Sequence, residues 1–144
     1  MAGPIRVDPF ANFRFRVEIE GIPQAAFMEC SGLGSQVAVI EYRDGSDPPE
    51  VRKLPGRVSY PDIVLKWGVT ASRDLYNWHL AVIQGQIQRK AGSVILVGVD
   101  GTDQVRWNFT NAWPSKWDGP TLNAMGNGVA IESLTITCES QQQA

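Results

Sequence analysis

From Phe13 to Glu20 the chain alternates without a break, with Phe13, Phe15, Val17 and Ile19 at odd positions and Arg14, Arg16, Glu18 and Glu20 between them. A side-chain period of two is that of an extended strand with one face in a core and a charged face in water. Gly21-Ile22-Pro23 ends the run, Ala25 to Glu29 begins a second extended one, and Ser31-Gly32-Leu33-Gly34 is a turn cluster. Gln36 to Arg43 resumes as a strand, with Val37 and Val39 on one side and Ala38, Ile40 and Tyr42 on the other. Apolar residues on both sides lead us to expect both faces covered, by the protein's own core and with room for a neighbour.

Residues 44–61 break this rhythm. Asp44-Gly45, Pro48-Pro49, Pro55-Gly56 and Pro61 punctuate them, which excludes a regular central strand and predicts one long loop. Structureless loops of this length are uncommon in compact domains and usually carry function. This one holds Val51, Leu54 and Val58, which a solvated linker does not need. Arg43, Arg52, Lys53 and Arg57 alternate with Asp44, Asp47 and Glu50, a pattern suited to charge-complementary contact with an adjacent copy.

Beyond the loop, Ile63, Leu65 and Trp67 mark another strand. The period then changes. Leu75, Trp78, His79, Val82 and Ile83 form one stripe of a helix, with Ser72 as the expected N-cap and Gly85 at its end. Val94 to Val99 reads as a strand buried on both faces, and Asp100-Gly101 as a two-residue hairpin turn. Val105, Trp107 and Phe109 line one side of the return strand, and Trp113-Pro114 and Asp118-Gly119-Pro120 are expected to interrupt the chain beyond it. A last strand runs from about Val129 to Cys138, its apolar phase slipping between Ile131 and Leu134, as a bulge or a change of partner would make it. The polar tail 140–144 is expected to fray. The class is mainly β, a two-sheet sandwich or small barrel of about seven strands with one flanking helix. No repeat or linker divides residues 1–144, so one domain is expected.

The 144 residues carry 13 basic and 15 acidic side chains, a net charge of −2, which gives no basic stripe for nucleic acid. No apolar run approaches the roughly 20 residues of a membrane-spanning helix. MAGPIRVDPF lacks the marks of a secretory signal, so synthesis in the cytoplasm is expected. Cys30 and Cys138 are too few and too far apart for a disulfide framework or a zinc site, and read as buried thiols. His79 is the single histidine and sits on the apolar stripe, where a structural role is commoner than catalysis. No catalytic, metal or cofactor constellation emerges, and none is expected. Trp67, Trp78, Trp107, Trp113 and Trp117 leave one rival open, a carbohydrate- or protein-binding module with a stacking platform.

Several stretches together resemble one family: Ser31-Gly32-Leu33-Gly34-Ser35, Glu41-Tyr42-Arg43-Asp44-Gly45, Val51-Arg52-Lys53-Leu54-Pro55-Gly56, Gly68-Val69-Thr70 with Leu75-Tyr76-Asn77-Trp78-His79, Trp107 through Trp117, and Leu122-Asn123-Ala124 through Glu132. In order and spacing they are similar to the tail tube proteins of contractile phages and the inner-tube proteins of contractile injection systems, which are related to the type VI secretion tube protein. Trp67, where a basic residue is usual, and Gly128, where a polar one is, are mild departures. The resemblance implies a tail-tube-like two-sheet β-barrel with a flanking helix, and no catalysis. It implies hexameric rings stacked inside a contractile sheath, capped by baseplate and tube-terminator proteins, with DNA or effector cargo in the lumen. Residues 1–9 become an N-terminal arm. The 44–61 loop, through Arg43, Asp44, Asp47, Glu50, Val51, Arg52, Lys53, Leu54 and Arg57, becomes the element that reaches neighbouring subunits.

Overall fold

The computed structural model describes residues 14–22, 26–43, 45, 50–70, 72–126 and 128–144. The strands are β1 (Phe15–Ile19), β2 (Glu29–Ser31), β3 (Gln36–Tyr42), β4 (Arg52–Ser59), β5 (Ile63–Gly68), β6 (Lys90–Val97), β7 (Asp103–Asp118), β8 (Ile131–Thr137) and β9 (Ser140–Gln143), and α1 (Asp74–Ile83) is the helix. Phe13 and the arm 1–9 lie outside the described residues. Strands run in the order β1-β6-β7-β8-β5-β2 in one sheet, with β9 added beside β7, while β3 and β4 form a sheet of their own. The expected mainly β class with two sheets and one helix holds. The large sheet does not close into a barrel, because β1 and β2 end its strand order and do not pair.

The turning element is β7. Up to Ala112 it pairs with β6, and over Trp107–Thr110 also with β9, whereas from Trp113 to Asp118 it pairs with β8. Asn111, in the left-handed region at φ 49°, marks the change of partner. Trp113-Pro114 therefore does not interrupt the strand as expected. From Trp113 onward β7 pairs on one side only, where a missing proline N–H need not break a ladder. The bulge expected between Ile131 and Leu134 does not form: β8 pairs with β5 without a shift from Ile131 to Ile136, and what changes there is that β7 joins as a second neighbour from Ser133 onward. A register shift lies instead on β7, between Pro114 and Lys116.

The sheet thus folds over itself and traps the core between its halves. Val17, Ile19, Val94, Phe109 and Ala112 come from one half, and Ile63, Leu65, Trp67, Leu134 and Ile136 from the other. All but Ala112 are alternate residues of their strands, put there by the period of two; Ala112 follows Phe109 by three residues, its phase reset across Asn111. Burying a side chain of this size stabilises by roughly 1.5–3 kcal/mol. Ile95 is buried on the outer face of β6, beneath the partners of its row, Arg16 and Arg106. Their guanidinium groups join Glu18 and Asp103 in a four-membered ion-pair cluster while their stems cover the apolar surface.

Helix α1 lays Leu75 and Trp78 on the core, and the Trp78 indole N–H donates to the Gln88 carbonyl at 2.8 Å. Its N-cap is Arg73 rather than the expected Ser72, whose hydroxyl donates to Asp74 instead. Its end follows expectation. Gly85 (φ 83°) donates to the Val82 carbonyl and Gln86 to that of Ala81, the paired bonds of a Schellman motif. His79 donates through Nδ1 to the Pro114 carbonyl, a structural bond that ties helix to sheet.

Three further expectations are corrected. The β6–β7 connection is a five-residue loop, 98–102, closed by the Gly98 N–H on the Thr102 carbonyl, not a two-residue turn. The tail does not fray, because Ser140–Gln143 forms β9 along β7, where the backbone supplies a ladder regardless of side-chain polarity. Most consequential, residues 52–59 of the expected loop form β4, hydrogen-bonded to β3. Pro55 and Gly56 fit because a two-stranded ribbon is all edge, and a register shift between Val37 and Val39 absorbs them.

Candidate assembly interface

Among the described residues neither face of the β3–β4 hairpin is covered. Val37 stands opposite Val58 and Val39 opposite Pro55 on one side, while Ile40 pairs with Leu54 on the other. Val39 is 64% exposed, Ile40 52%, Leu54 48% and Val58 55%, and Tyr42 and Val51 are exposed as well. The protein's own core therefore covers neither side, contrary to expectation. An isolated two-stranded hairpin is marginal in water, and apolar side chains on both faces add an unsatisfied demand for burial. Toward the tip the chemistry changes. Glu41 stands opposite Lys53 and Tyr42 opposite Arg52.

Of the residues predicted for inter-subunit contact, Arg43, Glu50, Val51, Arg52, Lys53, Leu54 and Arg57 all lie exposed on or beside this hairpin. Asp44 and Asp47 lie outside the described residues. Val37, Val39, Ile40 and Tyr42, on the opposing strand, share the surface and were not in the predicted set. Their two-sided apolarity is the available signal, and by itself it fits burial within the chain equally well.

A second apolar feature lies between the unpaired ends of the large sheet. Phe15 of β1, Cys30 of β2, Val94 and Leu96 of β6, Trp107 of β7, and Met28 and Leu33 line a groove of about 400 Å³. Burial, with Glu29 nearby, pushes the Cys30 thiol up to about 11. Cys138 is also raised, chiefly by burial. Neither is bonded to another cysteine. Among the described residues no group of three metal-ligating side chains occurs, and no helix is long and apolar enough to cross a membrane.

No tryptophan platform forms. Trp67 and Trp78 are buried, Trp107 and Trp117 pack against the core, and Trp113 is half-buried. Trp117 meets Tyr76 of α1 edge-on at 4.9 Å.

A folded-over sheet whose end strands do not pair with each other, and a hairpin apolar on both faces, are the features of a structural subunit with surfaces open to other chains. Residues 11–142 match the family described as T4-like virus tail tube protein gp19, and the chain belongs to it. It is 31% identical to a chain in the cryo-EM structure of the anti-feeding prophage cap, the tube terminating cap, over 99% of this chain and 95% of that one, with a TM-score of 0.87. It is 28% identical to a chain of the extended sheath-tube complex of the extracellular contractile injection system PVC, over 94% of this chain and 91% of that one, at a TM-score of 0.85. Hcp1 from Flavobacterium johnsoniae, at 17% identity over 90% of this chain and 94% of its own, shares the fold, with a TM-score of 0.58. No curated protein sequence matches. The chain is a tail tube protein, a structural subunit of an inner tube.

Proposed function

We propose that copies of this chain form hexameric rings that stack into the inner tube of a contractile phage tail or contractile injection particle. The tube is a conduit without catalysis of its own, for DNA in a phage and for protein effectors in an injection particle. It is made in the cytoplasm as a single domain, 1–144, and is enclosed by a contractile sheath between a baseplate and a tube terminator. Sheath-tube, baseplate and cap complexes among the related structures support these partners.

The observation that carries the reading is the hairpin, whose apolar faces find no cover among the described residues. Neighbouring copies supply that cover, through Val37, Val39, Ile40 and Val58 together with Arg43, Asp44, Asp47, Glu50, Val51, Arg52, Lys53, Leu54 and Arg57. Strand-to-strand contact at the unpaired ends β1 and β2 removes sheet edges that would otherwise invite aggregation. A near-neutral charge of −2 does not oppose dense stacking.

The test replaces Val51–Gly56 by a short Gly-Ser linker and compares both proteins by negative-stain microscopy and circular dichroism. A folded subunit that builds no regular tubes is expected. Long, regular tubes from this variant would overturn the role of the hairpin.

A further inference from the structure

We propose that Gln141 sets the angle at which the β3–β4 hairpin leaves the body, and so holds the hairpin in the orientation that assembly requires. The inference rests on the tube reading above.

Gln141 stands opposite Phe109 in the β7–β9 ladder, so its side chain lies on the inner face of the sheet with that core ring. There its amide makes three hydrogen bonds to backbone groups, beside a contact with the Cys138 thiol. Nε2 donates to the Gly32 carbonyl at 3.1 Å and to the Pro61 carbonyl at 2.9 Å, and Oε1 accepts from the Gly34 N–H at 3.1 Å. Gly32 and Gly34 lie in the segment that leads from β2 into β3, and Pro61 in the segment that leads from β4 into β5. One side chain, from the end of the sequence, therefore grips both strands of the hairpin at their root.

Beyond that root, β3 and β4 pair with each other and with no other strand among the described residues. The hairpin is a lever about 25 Å long, taking eight residues of β4 at about 3.3 Å each. A swing of about 10° at its base moves the tip by about 4 Å, more than packed side chains tolerate at an interface. Only an amide can make this set of bonds, since two carbonyls need donors while an N–H needs an acceptor. A carboxylate would satisfy Gly34 and confront the other two oxygens with negative charge.

The test uses the full chain as wild type, Gln141→Ala and Gln141→Glu, with the Gly-Ser hairpin variant in parallel, at neutral pH. Circular dichroism reports folding, hydrogen exchange reports the root and β3, and sedimentation of tubes gives the critical concentration. We expect both Gln141 variants to fold. Exchange of the Gly34 amide and of β3 should accelerate about tenfold while β6 and β7 keep their protection, and the critical concentration should rise about tenfold. Wild-type exchange at the root, or a wild-type critical concentration, in either folded variant would overturn the inference. So would loss of folding in both, which would make Gln141 a general stability residue. If one fails to fold, the other decides. Tubes from the Gly-Ser variant would overturn the hairpin's role instead, a result separate from the exchange at the root.

Discussion

Gly32 and Asp62 approach so closely that a side-chain carbon on Gly32 would overlap the Asp62 carbonyl oxygen, and Gly32 holds a φ of 91°, which side chains rarely adopt. The contact joins the approach to β3 with the approach to β5. Gly32→Ala is expected to cost about 2 kcal/mol or more, because strain and overlap act together and the obstacle is backbone. Gly128, with open space around it, is the control, and its change to Ala should stay within about 0.5 kcal/mol. Urea unfolding of the two variants checks the pair, and equal midpoints would contradict the packing at Gly32.

Trp78 is the anchor of α1, 4% exposed and hydrogen-bonded through its indole N–H to Gln88. Trp78→Ala should lower stability by roughly 3–5 kcal/mol, as large core truncations do. Trp78→Phe refills much of the volume but leaves the Gln88 carbonyl without this donor, so a smaller loss is expected. Chemical denaturation measures both, and near-wild-type stability of the alanine variant would mean that the helix does not rest on the core.

The elements legible in the sequence were those whose residues face one core from one side. Phe15, Val17 and Ile19, then Ile63, Leu65 and Trp67, follow a period of two because one face of each strand meets the interior. Leu75 and Trp78 of the helix stripe and its closing Gly85 were legible for the same local reasons, whereas Ile83, expected on that stripe, is exposed. The hairpin was half legible. Val37 to Tyr42 read correctly as a strand, but its two-sided apolarity looks the same whether the covering partner is the chain's own core or another copy. Pro55-Gly56 argued against a central strand, and β4 is not central: it belongs to a ribbon that is edge on both sides. Nothing in Ser140-Gln141-Gln142 signals a strand, since a peptide added to an existing sheet needs backbone groups more than apolar side chains. That hid the position from which Gln141 reaches the hairpin root.

The cysteines give a prediction with a definite sign. The Cys30 thiol, pushed up to about 11 from 9.0, holds its proton longer in the folded chain than in the unfolded one. This group's contribution to stability is therefore fully present below about pH 9 and is lost as the pH rises toward about 11. Thiolate is the reacting form, so alkylation of the native protein at pH 8 should be slow and should accelerate toward pH 11. Unfolding first, without reductant, should give a mass carrying two labels, one each at Cys30 and Cys138. A mass short by both labels would reveal a disulfide and contradict the free-thiol arrangement.

The two faces of the hairpin can be tested one at a time. Val39 presents its side chain on one face, with Pro55, and Ile40 on the other, with Leu54. Both are more than half exposed in the subunit, so an aspartate at either position meets water there. Each single change, Val39→Asp or Ile40→Asp, should shift subunit stability by no more than about 0.5 kcal/mol, as surface substitutions do. In the tube, the same carboxylate would be buried against a neighbouring copy without a partner, at a cost of several kcal/mol per contact. That cost recurs at every contact, so tubes should vanish or shorten sharply even though the monomer is intact. If both faces are covered in the assembly, both variants lose tubes under the microscope. If one variant builds normal tubes, the face it carries points to solvent or to the channel, and only the other packs against a neighbour. Normal tubes from both would leave the exposed apolar residues without the role assigned to them.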